Sequence, residues 1–183
     1  MTTTGPDTIN ARYARTFDAL DANKDGHLEW PDYQTLIDRY LAAYGLDKND
    51  RRSRALHACY QMQWMELLRH AGVKGDRLTK DEFVAATRQA SLDTSRLNVV
   101  EGGSHAIFDV VDADEDNEIT GDEFARLLAD VWKVTSLEAM ETFDQLDSDG
   151  DGCISRQEFI RAVREYYYAD DPDAPGAVFF GGA

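Results

Sequence analysis

The chain has 183 residues, 43% of them apolar, which is enough for a core shared by two small lobes and too many for a disordered chain. Nineteen Lys and Arg against 35 Asp and Glu leave a net charge of −16, a balance that repels nucleic acid and anionic membrane surfaces. No apolar run approaches the roughly 18–20 residues that cross a bilayer, and residues 1–7 carry neither a basic nor an apolar leader region, so a cytoplasmic location is expected.

In chain order, the first periodic segment is 7–20, where Tyr13, Phe17 and Leu20 share one face of an amphipathic helix. Residues 21–32 follow, with oxygen-bearing side chains at positions 1, 3, 5 and 12 of a twelve-residue stretch: Asp21, Asn23, Asp25 and Asp32. A hard cation such as Ca²⁺ takes 6–8 oxygen ligands at about 2.3–2.6 Å, and this spacing gathers them around one tight turn. His27 stands at position 7, which contributes its backbone carbonyl and leaves its side chain free to vary. Glu29 at position 9 acts directly or through water. Gly26 supplies the left-handed backbone required at position 6. Leu28 at position 8 is apolar, as a short ribbon between paired loops requires. The pattern is that of an EF-hand.

A second helix is expected over 30–44, with Tyr33, Leu36, Ile37 and Tyr40 on its inner face, then a polar loop over 45–52 and a third helix over 53–70. Residues 71–82 keep the loop frame without its chemistry. Leu78 and Glu82 hold positions 8 and 12, but Ala71, Val73 and Gly75 offer no side-chain oxygen at positions 1, 3 and 5, and Lys74 and Arg77 add positive charge. EF-hands fold in pairs because a lone unit exposes its apolar face and ribbon edge. Residues 71–82 therefore read as a structural unit that pairs with the first loop and binds nothing; a plain helix–helix turn is the alternative.

A fourth helix over 80–90 leads into a connection at 91–101, where Gly102 and Gly103 argue against a long rigid central helix. The helix 102–111 then delivers a second full loop at 112–123. Its ligands are Asp112, Asp114, Asp116, the carbonyl of Glu118, Thr120 at position 9 and the closing Glu123. Asn117 replaces glycine at position 6, and Asn is the non-glycine residue best suited to positive φ. Helices over 121–133 and 136–146 lead to the last loop, 147–158, with Asp147, Asp149, Asp151, the carbonyl of Cys153, Ser155 and Glu158. Ile119 and Ile154 repeat the apolar position 8. A final helix spans 156–168. Beyond it, Pro172 and Pro175 forbid helix, and Val178, Phe179 and Phe180 are expected to fold back into an apolar cleft, a loose tail being the alternative.

The expected architecture is all-α, four EF-hand units in two pairs, 1–95 and 96–183, packed into a compact two-lobe molecule. The arrangement resembles the sarcoplasmic calcium-binding proteins and bacterial relatives such as calerythrin. The resemblance rests on an active first loop with Asp32 at position 12, a dead second loop, active third and fourth loops, Asn117 at position 6 of the third, and the tail at 171–181. It implies a compact fold and a calcium-buffering or transporting role.

Three Ca²⁺ sites are thus expected, with Mg²⁺ most at home in the first loop, because Asp32 is one methylene shorter than Glu and reaches an ion less easily with both oxygens. Filling three sites takes the net charge from −16 to −10, so ion binding and folding should be strongly linked. Cys59 and Cys153 lack metal or redox spacing and read as reduced thiols. His27, His57, His70 and His105 show no ligand spacing and no nucleophile motif appears, so no enzyme is expected. A cytosolic buffer and a sensor that grips a target helix both fit. Few methionines and an aromatic lining favour the buffer, a target protein being required only by the sensor. No surplus apolar face is evident and a monomer is expected.

Overall fold

The computed structural model describes residues 6–94, 97–134, 136–171 and 173–178. Four helix–ribbon–helix units succeed one another. Helix α1 (Pro6–Leu20) leads through strand β1 (His27–Glu29) to α2 (Trp30–Tyr44); α3 (Arg51–Ala71) leads through β2 (Arg77–Thr79) to α4 (Lys80–Leu92). Helix α5 (Leu97–Val111) leads through β3 (Glu118–Thr120) to α6 (Gly121–Arg126), which continues as a π-helical turn, Leu127–Val131. Helix α7 (Ser136–Leu146), β4 (Cys153–Ser155) and α8 (Arg156–Tyr168) complete the last unit, and a 3₁₀ turn, Pro175–Val178, closes the described chain.

The position-8 residues pair the units. Strands β1 and β2 are antiparallel with Leu28 opposite Leu78, and β3 and β4 with Ile119 opposite Ile154. All four side chains are fully buried, so each ribbon is pinned by one apolar contact beneath it as well as by its backbone bonds. The unit without ligands supplies the ribbon partner of the first loop, as its sequence frame predicts.

Aromatic pairs join the helices of each partnership. Phe17 of α1 meets Phe83 of α4 edge-on with centroids 5.7 Å apart, and Phe108 of α5 meets Phe159 of α8 in the same geometry at 5.7 Å. Such contacts add about 0.5–1.5 kcal/mol each beyond the area they bury. Both pairs of units contribute to one continuous core. Close approach of α3 and α5 closes it: a Cβ on Gly103 would lie 2.8 Å from the Cys59 sulfur.

That contact explains a difference from the sequence reading. Helix α5 begins at Leu97 rather than at residue 102, and Gly102 and Gly103 lie inside it. Helix α4 ends at Leu92, and the glycine at 103 serves packing rather than flexibility. The third helix also starts two residues early, at Arg51, because the Asp50 side chain accepts from the Arg52 N–H as its cap (2.8 Å). The helix expected over 121–133 turns π-helical at Leu127, where the Trp132 N–H bonds the Leu127 carbonyl at 3.2 Å.

The tail folds back as far as it is described. The Gly176 N–H donates to the Glu165 carboxylate at 2.7 Å, and a Cβ there would lie 2.2 Å from the Ala162 carbonyl oxygen, so only glycine fits this seat on α8. Phe179 and Phe180, expected to fill a cleft, lie outside the described residues. At the same C-terminal end of α8, the buried Arg12 guanidinium of α1 donates to the carbonyls of Glu165, Tyr166 and Ala169 (3.2, 2.8 and 3.1 Å). It satisfies the helix end that no residue on α8 caps.

Candidate metal centre

The three ligand-bearing loops share one hydrogen-bond frame. At position 1, one carboxylate oxygen accepts from the position-6 N–H: Asp21 from Gly26 (3.0 Å), Asp112 from Asn117 (3.0 Å), Asp147 from Gly152 (2.9 Å). At position 5, Asp25, Asp116 and Asp151 each accept from the position-7 N–H of His27, Glu118 and Cys153 at 2.9 Å. Position 3 accepts from the position-5 N–H: Asn23 (3.0 Å), Asp114 (3.3 Å) and Asp149 (3.2 Å). Each bond fixes one side-chain oxygen of the loop.

The position-12 carboxylate brackets the loop from the next helix. Asp32 accepts from Ala22 and Glu29 N–H groups (3.2 and 2.9 Å), Glu123 from Ala113 and Thr120 (2.8 and 2.9 Å), and Glu158 from Ser148 and Ser155 (2.9 and 2.8 Å). The Thr120 and Ser155 hydroxyls also bond Glu123 and Glu158, so in these loops position 9 caps the outgoing helix through the closing ligand. In residues 71–82 the bracket is missing. Glu82 bonds the Thr79 N–H and hydroxyl (2.8 and 2.9 Å) and caps α4, while the Gly72 N–H bonds the Leu68 carbonyl instead.

Backbone shape divides the loops the same way. Position 6 is left-handed in all three, Gly26 at φ 79°, Asn117 at 71° and Gly152 at 92°. Position 4 is left-handed too, at Lys24 (59°), Glu115 (61°) and Gly150 (73°). The latter requirement was not foreseen from the sequence, since two of these residues are long charged side chains with no turn preference. Asn117 does more than tolerate its conformation. Its side-chain oxygen accepts from Arg156 Nε of the last unit at 2.9 Å, while Arg156 also pairs with Asp109 (2.8 Å) and lies 4.1 Å over the Phe108 ring.

The donors suit a hard divalent cation. Oxygens bound to one Ca²⁺ lie within about 4.6–5.2 Å of one another, twice the bond length. Asp112, Asp114 and Glu123 bring one oxygen each within 4.8 Å of the others, and so do Asp147, Asp149 and Asp151. Asp116 and Glu158 stand outside these groups. In the first loop Asp21, Asp25 and Asp32 do not meet within that distance. There the Asn23 amide donates to Asp25 at 3.1 Å. One Asp21 oxygen, on a residue only 5% exposed, has no hydrogen-bond partner. A buried carboxylate oxygen without a donor is costly, and a cation in the loop satisfies it.

Electrostatics agree. Burial pushes the Asp112 carboxyl up, helped by the nearby charges of Asp116 and Glu123, which is the condition a bound cation relieves. Burial also pushes Glu158 up, but the Ser155 and Ser148 bonds outweigh it and hold the carboxyl down at about 2. The Cys153 thiol is raised by burial, by its bond to Glu118 and by surrounding carboxylates, so it stays protonated and is no ligand.

Residues 104–164 match the EF-hand domain pair family and residues 14–37 the EF hand family. The chain is a calcium-binding EF-hand protein. It is 28% identical to a calcium-binding protein of Streptomyces coelicolor whose structure superposes with a TM-score of 0.72, covering 87% of this chain and 97% of that one. Sarcoplasmic calcium-binding proteins I, III and IV of Branchiostoma lanceolatum are 32% identical over 72 residues, 38% of this chain and 39% of theirs. Both matches support the resemblance to the sarcoplasmic calcium-binding and calerythrin-like proteins. Calcium-loaded apo-aequorin of Aequorea victoria shares the fold at 20% identity and a TM-score of 0.75, over 91% of this chain and 94% of that one. A calcium and calcium/calmodulin-dependent serine/threonine-protein kinase of Pisum sativum is 30% identical over 112 residues, 61% of this chain; the chain spans only 19% of that kinase.

Proposed function

We propose that the protein is a cytosolic, monomeric calcium buffer with three ion sites, residues 21–32, 112–123 and 147–158, the first also admitting Mg²⁺. The bracket made by the position-12 carboxylate carries this reading. It is present in three loops and absent from residues 71–82, where Glu82 turns to its own helix cap. Three observations favour a buffer over a sensor. The two pairs of units share one core, the 3₁₀ tail turn occupies its seat on α8, and the exposed methionines Met62, Met65 and Met140 are divided between α3 and α7. Titrating calcium into calcium-free protein with the dye ANS present tests it. A fall in dye fluorescence supports a protein that closes on its ions. A rise means that calcium opens an apolar groove, and the sensor replaces the buffer.

One observation favours a second reading, calcium-dependent binding of a small aromatic molecule. A cavity of about 100 Å³ lies between the helices, walled by Tyr13, Tyr33, Tyr40, Tyr60, Phe83 and Tyr167 among others. The Tyr33 hydroxyl, on a residue 1% exposed, bonds no described group, and Tyr33 follows Asp32, the closing residue of the first loop. A ring of benzene size with one acceptor atom suits that space and that donor. Acetophenone, followed by tryptophan quenching with and without calcium, should saturate at one molecule per chain and lose its site in Ala90→Phe, which fills the cavity wall. Unsaturable quenching, or binding that survives Ala90→Phe, removes this reading.

A further inference from the structure

We propose that Tyr44 is a positioning residue for the third ion loop, residues 112–123, and that through it helix α2 couples ion binding there to ion binding in the first loop. The inference rests on the three-site reading above. It concerns two loops that belong to different pairs and share no ribbon.

Helix α2 carries one closing residue in its first turn and meets another at its last residue. Asp32, in its first turn, brackets the first loop. Tyr44, its last residue, donates its hydroxyl to the Glu123 carbonyl at 2.8 Å, and Glu123 brackets the third loop. At 1.5 Å per residue the two ends lie about 18 Å apart along one unbroken helix. Gly45, left-handed at φ 62°, stops the helix immediately beyond Tyr44, so the hydroxyl sits at a fixed end rather than on a continuing rod. The ring is also held from the other side, with the Arg126 guanidinium 5.7 Å from its centroid.

Two further contacts tie the same surfaces. Arg52, at the start of α3, places Nη1 3.5 Å from the carboxylate of Glu115, the left-handed position 4 of the third loop. Arg39, in the middle of α2, reaches the Val131 carbonyl at the end of the π-helical turn, also at 3.5 Å. The first pair of units therefore holds the third loop at position 4, at position 12 and at the end of its outgoing helix. An ion in the first loop fixes Asp32 and the start of α2. The far end of α2 then presents Tyr44 to Glu123 in the place Glu123 occupies when its carboxylate brackets the loop. By linkage the effect is reciprocal. One such bond is worth about a two- to tenfold change in an equilibrium.

The test uses three amide reporters. The N–H groups of Gly26, Asn117 and Gly152 each donate to the first Asp of their own loop, so their NMR shifts follow the three sites separately. Calcium is titrated into the unaltered protein, Asp25→Ala to block the first loop, Tyr44→Phe, and the double variant. Blocking the first loop should weaken the Asn117 site about two- to tenfold when Tyr44 is intact, and by less than about twofold in Tyr44→Phe. Tyr60→Phe is the control, because its hydroxyl donates to Tyr40 (3.1 Å) and touches no loop. It should lower thermal stability and leave the ratio alone. The proposal is overturned if blocking the first loop leaves the Asn117 site unchanged, if the ratio survives Tyr44→Phe, or if Tyr60→Phe abolishes it equally. If any of the three amides fails to respond to calcium in the unaltered protein, the three-site reading fails instead.

Discussion

Replacing Asp21 with Asn should stabilise the calcium-free protein while diminishing what calcium adds. Asp21 is 5% exposed; one oxygen accepts from the Gly26 N–H at 3.0 Å and the other has no donor. Asn is the same size. Its carbonyl can keep the Gly26 bond, and its neutral amide then takes the place of the orphaned, charged oxygen. Removing a buried, unsatisfied charged group returns about 1–3 kcal/mol. At about 2–4 °C per kcal/mol for a chain of this size, the calcium-free midpoint should rise by about 2–12 °C. Calcium at about a thousand times its dissociation constant contributes about 4.1 kcal/mol per site. Losing one site should therefore cut the calcium-induced rise in midpoint by about 8–16 °C. Thermal unfolding followed by circular dichroism, in chelator and in saturating calcium, reads both numbers. A calcium-free midpoint that falls, or an undiminished calcium increment, would refute the argument that Asp21 is held in strain for an ion.

Asp32→Glu should raise the calcium-to-magnesium preference of the first loop by about tenfold, or about 1.4 kcal/mol, as the longer side chain presents both oxygens. Terbium luminescence sensitised by Trp30, which stands at position 10 of that loop, reports the competition, and an unchanged ratio counts against it. Asn117→Gly relieves a φ of 71° but removes the acceptor of Arg156 Nε. The third loop should bind as well or better alone, while the cooperativity of the last two sites falls about two- to tenfold, and unchanged steepness in a calcium titration would show that the ribbon alone couples them. Burial pushes the Cys59 thiol up to about 11 and the Tyr40 and Tyr166 phenols up to about 12. Each group is kept neutral by folding, so its contribution is full below its ordinary value near 8.5 for Cys or 10 for Tyr, and is lost as pH rises through the folded value. The melting midpoint should therefore fall steadily between about pH 9 and pH 12, and a flat profile over that range would contradict the assignment of these groups to the core.

Legibility in the sequence followed the range of each interaction. The loop frame could be read because its oxygen-bearing residues lie within one twelve-residue spacing; Asp21, Asp112 and Asp147 each accept from the position-6 N–H. Ribbon pairing could be read because position 8 is apolar in every unit, the dead one included. Contacts made across the fold could not be read. Gly103 looks like a helix breaker until Cys59 of α3 is seen against it, and Arg12 shows nothing of its role until the end of α8, more than 150 residues later, is brought beneath it. Lys24 and Glu115 carry no sign of their left-handed backbone. The hydrogen bonds of neighbouring positions impose that conformation, against the preference of the residues themselves.

The dead unit shows why such a protein can lose an ion site without losing its fold. In the third and fourth loops the position-12 glutamate has two duties. It caps the outgoing helix together with the position-9 hydroxyl, and it reaches back to the position-2 N–H to close the loop. Only the second duty concerns the ion. Residues 71–82 keep the first, since Thr79 and Glu82 form the same capping box on α4, and they keep Leu78 opposite Leu28 in the ribbon. Their positions 1, 3 and 5 then have nothing left to do, and Ala71, Val73 and Gly75 occupy them. On the three-site reading, the first loop depends on that ribbon partner, because Leu28 has Leu78 opposite it. Breaking Leu78 should therefore damage calcium binding at residues 21–32, although no ligand is touched, whereas restoring acids at positions 71, 73 and 75 is not required for it.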